Sequence, residues 1–390
     1  MSDAILTLNA GSSSLKFALF DIAGDDVRAA TTGEIEKLDS APHLVARDAQ
    51  GRVFAEKDWD HAPAFDALVD EILTWAEAHL NGNALVAVGH RMVHGGPDHT
   101  APARVTPALL KALDDLVPLA PLHLPHNIAP IRAVAKARPD LVQVVTFDTA
   151  FHRTMPRLAT LIAVPRKYQQ EGVRRYGFHG LSYEYIAGRL SEIAPALAKG
   201  RTIVAHLGNG ASLCALKGGQ SVDTTMGFSA LDGLVMGTRP GDIDPGVLLY
   251  LEERHGMDVH SLEHMLYNDC GMKGVSGISG DMRTLTESKD PAAKEAVDLF
   301  VFRLAREIGA LTASLGGLDG LVFTGGIGEH AADIRAMTAA RLDFMGAKLD
   351  AAANARHDLL ISAPDSKIAL YVIPTDEEQM IARHTRQCLD

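Results

Sequence analysis

A glycine-rich turn between two short apolar runs occurs twice in this chain, and that repetition constrains the fold more than any other feature. Leu6–Leu8 and Leu15–Leu19 flank Ala10-Gly11-Ser12-Ser13-Ser14. In the second half, Thr202–Leu207 and Ser212–Leu216 flank Gly208-Asn209-Gly210, and Ser-Leu follows the turn in both copies, as Ser14-Leu15 and Ser212-Leu213. A strand, tight turn, strand pattern predicts an antiparallel hairpin. Its recurrence predicts a duplicated α/β architecture in which each half opens on such a hairpin. At 390 residues the chain is long enough for two domains, each with its own core.

The remaining pattern fits alternating strands and helices. His43–Arg47 and Arg52–Ala55 read as a strand pair turning at Gln50-Gly51. Phe65, Leu68, Val69, Ile72, Leu73 and Ala76 recur at helical spacing, which predicts a helix over 62–80. Leu85–Val88 and Leu141–Phe147 suit buried strands of a mostly parallel sheet. Later segments predict a helix over 292–315, a strand at Gly320–Thr324, a helix over 328–340, a strand at Ile368–Ile373 and a C-terminal helix. Between 116 and 131, Pro118, Pro121, Pro125 and Pro130 predict a stiff loop and exclude a regular helix.

Charge and cysteine usage narrow the function classes. Lys plus Arg is 37 and Asp plus Glu is 49, a net charge of −12 that repels nucleic acid and anionic membrane. The N-terminus carries no basic and apolar leader, and no run of 18 apolar residues suggests a span. Cys214, Cys270 and Cys388 are isolated and odd in number, which predicts free thiols in a reducing cytoplasm.

Three glycine clusters are candidates for holding phosphates: Asn9–Ser14, Gly208–Gly210 and Gly325–Gly328. Glycine lets backbone amides approach an anion closely, and Lys16 adds a positive charge beside the first cluster. No Gly-Lys dipeptide occurs, so a P-loop is excluded. Gly326-Ile327-Gly328-Glu329-His330-Ala331 fits a loose dinucleotide pattern, but too little chain follows it for that fold. Arg91 and Arg239 lie in glycine-flanked loops and suit a carboxylate or phosphate, because a guanidinium fork binds two oxygens at once. Asp148 ends an apolar strand, His179 sits among aromatic residues and glycine, and Glu377 and Glu378 open the last helix. His90/His94 and His123/His126 lack the glutamate of a zinc-binding helix, and the prolines around His123 argue against a helical pair.

Together these segments closely resemble the acetate kinase family. The resemblance runs from Asn9–Lys16 to Pro374-Thr375-Asp376-Glu377-Glu378, through His90–Gly96, Phe147–His152, Tyr176–Gly180, His206–Gly210, Gly237–Pro245 and Gly325–Glu329. It implies duplicated ribonuclease H-like (actin-like ATPase) α/β domains around a central nucleotide cleft. The domains it implies are 1–150, completed by about 378–390, and 151–377, the second carrying most of the nucleotide site and the dimer interface. It implies reversible, Mg²⁺-dependent (or Mn²⁺-dependent) transfer of the ATP γ-phosphoryl group to acetate, giving acetyl phosphate and ADP. A cytoplasmic homodimer follows on the same basis, with no nucleic acid or membrane partner.

The implied roles fall on named residues. Asn9 and Glu377 help hold the metal, and Asn9, Ser12, Ser14 and Lys16 meet phosphate. Lys16, His206, Leu207, Gly208, Asn209, Gly210, Asp281, Met282, Arg283, Gly325, Gly326, Ile327, Gly328 and Glu329 contact ATP. Arg91 binds the substrate carboxylate, Asp148 is the essential acid, and His179 and Arg239 stabilise the transferring group. Val93, Leu122, Phe178 and Ala230 map to the acyl pocket.

Three departures stand out: Leu122-His123-Leu124-Pro125-His126-Asn127 replaces LHNPPN, Pro240 replaces a serine, and Ser229-Ala230 replaces Thr-Pro. Ala230 widens the acyl pocket and leaves propionate kinase as the alternative, whereas Val93 narrows it toward acetate. An ATPase of the chaperone or actin kind has no use for the carboxylate clamp of Arg91. On sequence grounds, Arg91→Ala and Arg239→Ala should each lower turnover by orders of magnitude and leave the melting curve unchanged.

Overall fold

The computed structural model describes residues 3–11, 13–80 and 82–389, which divide into two compact units, 1–151 with 376–390, and 152–375. In the first unit, eight strands form one sheet: β1 (Asp3–Ala10), β2 (Ser14–Ala23), β3 (Asp26–Glu36), β4 (His43–Asp48), β5 (Val53–Asp58), β6 (Ala84–Met92), β7 (Ala103–Arg104) and β8 (Val142–Phe147). Their order is β5-β4-β3-β2-β1-β6-β8-β7. The first predicted hairpin is β1-β2, with Asn9 opposite Lys16.

Only β1, β6 and β8 run parallel to one another, and the other neighbours are antiparallel. The expectation of a mostly parallel sheet therefore holds for the two strands that prompted it and fails for the sheet as a whole. Short hairpin connections along β1–β5 force antiparallel neighbours.

Both faces of this sheet are covered. Leu6, Leu8, Phe17 and Leu19 pack with Leu68, Val69, Ile72, Leu73 and Ala76 of α1 (Phe65–Ala78), and with Ala133 and Val134. On the other face, Ile5, Ala18, Phe20 and Ala87 pack against Ala382 of the C-terminal helix Glu377–Gln387. A Cβ at Gly89 would lie 2.2 Å from Thr385 Oγ1, so only glycine lets this helix seat on β6.

The proline-rich stretch corrects the sequence reading. After α2 (Pro107–Asp115), residues Leu124–Ala137 form α3, with Pro125 in its first turn and Pro130 inside it. Proline is tolerated in a first turn, where the N–H has no helical acceptor. The helix buries Leu124, Ile128, Pro130, Ile131 and Val134, and that burial outweighs the bond lost at Pro130.

The second unit repeats the central topology. Strands β9 (Arg201–Leu207), β10 (Ala211–Lys217), β11 (Gln220–Thr224), β12 (Gly320–Thr324) and β13 (Ala369–Val372) are ordered β11-β10-β9-β12-β13. Polarity runs antiparallel, antiparallel, parallel, parallel, as along β3-β2-β1-β6-β8. Two copies of one five-strand pattern make this a duplicated ribonuclease H-like fold.

Around this sheet lie α4 (Gly180–Ile193), α5 (Pro245–His255), α6 (Val259–Asn268), α7 (Met282–Glu287), α8 (Pro291–Leu315), α9 (Gly325–His330) and α10 (Ala332–Arg341). Helix α8 is capped by Asp290 and closed by Gly316 at φ +73°, and it buries Phe300, Val301, Leu304 and Ile308. The single helix predicted over 328–340 is two, broken at Ala331. No helix of the described residues is long and apolar enough to cross a membrane.

Candidate active site

In each unit, the polar side chains of interest gather at the carboxyl ends of the parallel strands, where open α/β sheets bind ligands. In the first unit, Asn9 is the penultimate residue of β1, Arg91 the penultimate residue of β6, and Asp148 directly follows β8. Because these strands are neighbours, their ends bring the three side chains together. Arg91 Nη2 donates to Asp148 Oδ2 at 2.6 Å and Nε to the same carboxylate at 3.1 and 3.2 Å. Its Nη1 donates to Asn9 Oδ1 at 3.2 Å and lies 3.4 Å from Glu377 Oε2.

Asp148 is 1% exposed. Burial by itself would lower the Arg91 pKa, but the charges of Asp148 and then Glu377 outweigh it and hold the guanidinium above its usual range. Asn9 Nδ2 donates to Glu378 Oε1 at 3.1 Å and to Glu377 Oε2 at 3.5 Å. Burial, and next the charge of Glu377, raise the Glu378 carboxyl above its ordinary value. Lys16, exposed on β2, opposes that rise. Ser14 begins β2, and Ser12 lies outside the described residues.

The loop after β6 is fixed by side chains. Asn127 Oδ1 accepts from Val93 N at 2.9 Å, and its Nδ2 donates to Ala10 O at 2.8 Å. Val93 is buried and Leu122 is half exposed. His90 and His94 are fully buried, and burial pushes both imidazoles down to about 4.

In the second unit, the β9-β10 turn and the start of α9 line a cavity of about 790 Å³. Of the predicted ATP residues, Gly208, Asn209, Asp281, Met282, Arg283, Gly326 and Ile327 form its wall. His206, Leu207, Gly210, Gly325, Gly328 and Glu329 are not among the residues that line it. Glu329 turns its carboxylate inward, where Oε1 accepts from Gly325 N at 2.9 Å and Thr375 N at 3.2 Å. Gly325, at φ +74°, packs so closely on Leu207 that a Cβ would fall 2.9 Å from its carbonyl oxygen.

Sequence reading missed Thr238, Thr286, His330, Asp333 and His357 in the wall. It also missed Arg335, fully buried, which donates to the carbonyls of Gly328 and Glu329 at 2.9 and 2.8 Å. His330 lay within the loose dinucleotide pattern Gly326–Ala331, and Asp333 two residues beyond it carried no signal of its own.

Beside the turn lie His179 and Arg239. Arg239 Nη1 donates to Ala230 O at 2.8 Å, and among the described residues no carboxylate pairs with it. Burial lowers its pKa from the usual guanidinium value. A Cβ at Gly210 would lie 2.5 Å from Arg239 Nη2 and 3.7 Å from His179 Nε2, so both groups close over that glycine. His179 stacks on His206 at 4.3 Å between ring centres. Phe178 and Ala230 are buried. Cys214 lies in the core, and burial pushes its thiol up to about 12, which leaves it inert at neutral pH.

An anion clamp in one unit and a nucleotide-sized cavity lined by glycine turns in the other define a phosphotransferase of the actin-like ATPase fold. The chain belongs to the acetokinase family, whose profile matches residues 4–383. It is 50% identical to the acetate kinase of Rhodopseudomonas palustris (strain TIE-1), over 100% of this chain and 99% of that protein. It is 48% identical to the acetate kinase of Rhizobium meliloti over 98% of each chain. Among solved structures, Porphyromonas gingivalis acetate kinase superposes with a TM-score of 0.88 at 36% identity over 100% of both chains. A propionate kinase from Francisella tularensis superposes at 0.91 and 35% identity over 98% of both.

Proposed function

We propose that this chain is an ATP:acetate phosphotransferase that forms acetyl phosphate and ADP reversibly by direct in-line transfer. The observation that carries the reading is the full-length match at 50% identity to an acetate kinase. Acetate is already an anion at neutral pH, so the nucleophile needs no general base. The harder task is to bring a carboxylate to an anionic γ-phosphate, and fixed cations at the site do that work.

In this reading Arg91 holds the substrate carboxylate, and Asp148 orients the Arg91 guanidinium. Arg239 and His179 donate to the equatorial oxygens of the transferring group. Gly208, Asn209, Asp281–Arg283, Gly326 and Ile327 hold the nucleotide, with Gly325 and Glu329 bracing them.

Asn9, Glu377 and Glu378 fit a magnesium ion that arrives with ATP. Asp148, Glu377 and Glu378 outnumber Arg91 and Lys16, and burial followed by the charge of Glu377 raises the Glu378 carboxyl. Magnesium typically takes one or two carboxylates plus water and phosphate oxygens. When bound, the ion would neutralise phosphate charge.

The enzyme works in the cytoplasm as a homodimer, with the interface in the second unit. Leu249, Tyr250 and Val259, exposed on α5 and at the start of α6, support that face. Hydroxamate formation from ATP, hydroxylamine and acetate tests the activity. ATP turnover indifferent to carboxylates would replace the reading by a simple ATPase. Ala230, in place of the family's proline, favours a second reading as a propionate kinase. One methylene is worth about 1–3 kcal/mol in such a pocket, so kcat/KM for acetate, propionate and butyrate decides between them.

A further inference from the structure

His179 is one of three non-glycine residues in the left-handed region among those described, at φ 57° and ψ 26°. Such a conformation is strained for a residue with a side chain and persists only where its surroundings enforce it. The enforcing contacts are present. Tyr183 N donates to His179 O at 3.1 Å, opening α4, and the preceding carbonyl, Phe178 O, lies 2.9 Å from His152 Nε2. On the ring itself, His179 Nδ1 lies 2.8 Å from Ser212 Oγ, the first serine after the glycine turn. Ser212 Oγ in turn hydrogen-bonds the Tyr183 hydroxyl. Ser212 and Tyr183 are both fully buried.

The direction of the protons in this chain follows from acidity. A phenol is a far stronger donor than an aliphatic alcohol, and an imidazole nitrogen is a better acceptor than either hydroxyl. The favoured order is therefore Tyr183 donating to Ser212 and Ser212 donating to His179 Nδ1, each bond polarising the next. With Nδ1 an acceptor, the neutral ring carries its proton on Nε2. That nitrogen faces Gly210 and the Arg239 guanidinium.

We propose that the Tyr183–Ser212 hydroxyl pair locks His179 in its left-handed pose as the Nε2–H tautomer, so that a neutral imidazole presents a donor beside Arg239. Ser212 and Tyr183 are positioning residues. This rests on the role given to His179 above, and it adds what sets the direction of that side chain's hydrogen bond.

Nitrogen-15 NMR of ¹⁵N-histidine enzyme, with the His179 signals assigned by loss in His179→Asn, reads the tautomer independently of turnover. The native enzyme should show Nε2 protonated and Nδ1 unprotonated, and Ser212→Ala should shift the ring toward the Nδ1–H form. Turnover of Ser212→Ala should fall about tenfold to a hundredfold, with KM for ATP and acetate little changed. Ser212→Thr should restore both tautomer and rate, and Tyr183→Phe should give a smaller loss. In a His179→Ala background, Ser212→Ala should cost nothing further. A native Nδ1–H tautomer, or a Ser212→Ala loss that persists undiminished without His179, overturns the proposal. Full activity in His179→Ala with the predicted tautomer intact would instead remove the role given to His179 in transfer.

Discussion

Arg91, near the end of β6, and Arg239, beside the β9-β10 turn, are half-buried arginines of the two units, and they differ in what surrounds them. Arg91 is held by Asp148, Asn9 and Glu377 before any substrate arrives. Arg239 has a carbonyl, Ala230 O, and no carboxylate among the described residues. A compensated arginine is stable and rigid, and takes up a second carboxylate as one more partner in an existing network. An uncompensated one carries the cost of burial in the free protein and recovers it when an anion forms beside it. The second arrangement suits charge that develops in a transition state, and the first suits an anion present from the outset.

The largest effect expected from this contrast is on turnover at Arg239. Arg239→Ala should lower kcat by about 10³–10⁵-fold, as for other arginines that meet a transferring phosphoryl group. Its stability should stay within about 1 kcal/mol of native, since one hydrogen bond is lost and an unpaired buried charge goes with it. Calorimetric melting and steady-state kinetics check both. Arg91→Ala should lose activity too, but it takes away the guanidinium that holds the buried Asp148 carboxylate and should cost about 3–5 kcal/mol. The sequence alone assigns both substitutions an unchanged melting curve, and the partners of Arg91 separate them. Arg91→Ala combined with Asp148→Ala should recover much of the lost stability and none of the activity. Equal melting temperatures for the two single variants would break the contrast.

Gly210→Ala sharpens it further. The added methyl meets Arg239 Nη2 at 2.5 Å, so the guanidinium must move. A loss of about ten- to a hundredfold in kcat with little change in KM for acetate is the expected result.

Glu378 gives the smallest effect, and its sign follows from its raised pKa. Above its ordinary value of 4.5, the native state keeps the proton longer than the unfolded chain does. Stability from this group is therefore present at low pH and lost as pH rises through the native pKa. Glu378→Gln should remove that decline in metal-free buffer, seen by thermal melting across the range. An unchanged or steeper decline would show that Glu378 is not strained by burial.

How much of this was legible in the sequence depended on whether the signal was local. The two hairpins were, because a glycine turn between alternating apolar runs spans few residues. Strand β3 was not, since Asp26–Glu36 is half-buried in no clean alternation. Helices α5 and α6 bury none of their residues, so their apolar positions pointed to no core. Helix α3 was misread because proline was taken as a breaker, whereas Pro125 sits harmlessly in the first turn and burial of the helix outweighs the bond lost at Pro130. At the site, charged residues and glycines in loops were visible. Ser212 and Tyr183 were not, because a hydroxyl inside a strand or helix reads as ordinary until its partner is known.

The central claim is that Arg91 serves the ground-state carboxylate and Arg239 the transferring phosphoryl group. Calorimetric titration of acetate into Mg²⁺·ADP complexes of both alanine variants, with and without aluminium fluoride, tests it most directly. Arg239→Ala should bind acetate and ADP as the native enzyme does, yet fail to gain affinity when the phosphoryl mimic is added. Arg91→Ala should bind ADP and lose acetate. Acetate affinity retained within about twofold in Arg91→Ala, a difference under roughly 0.5 kcal/mol, would contradict the account.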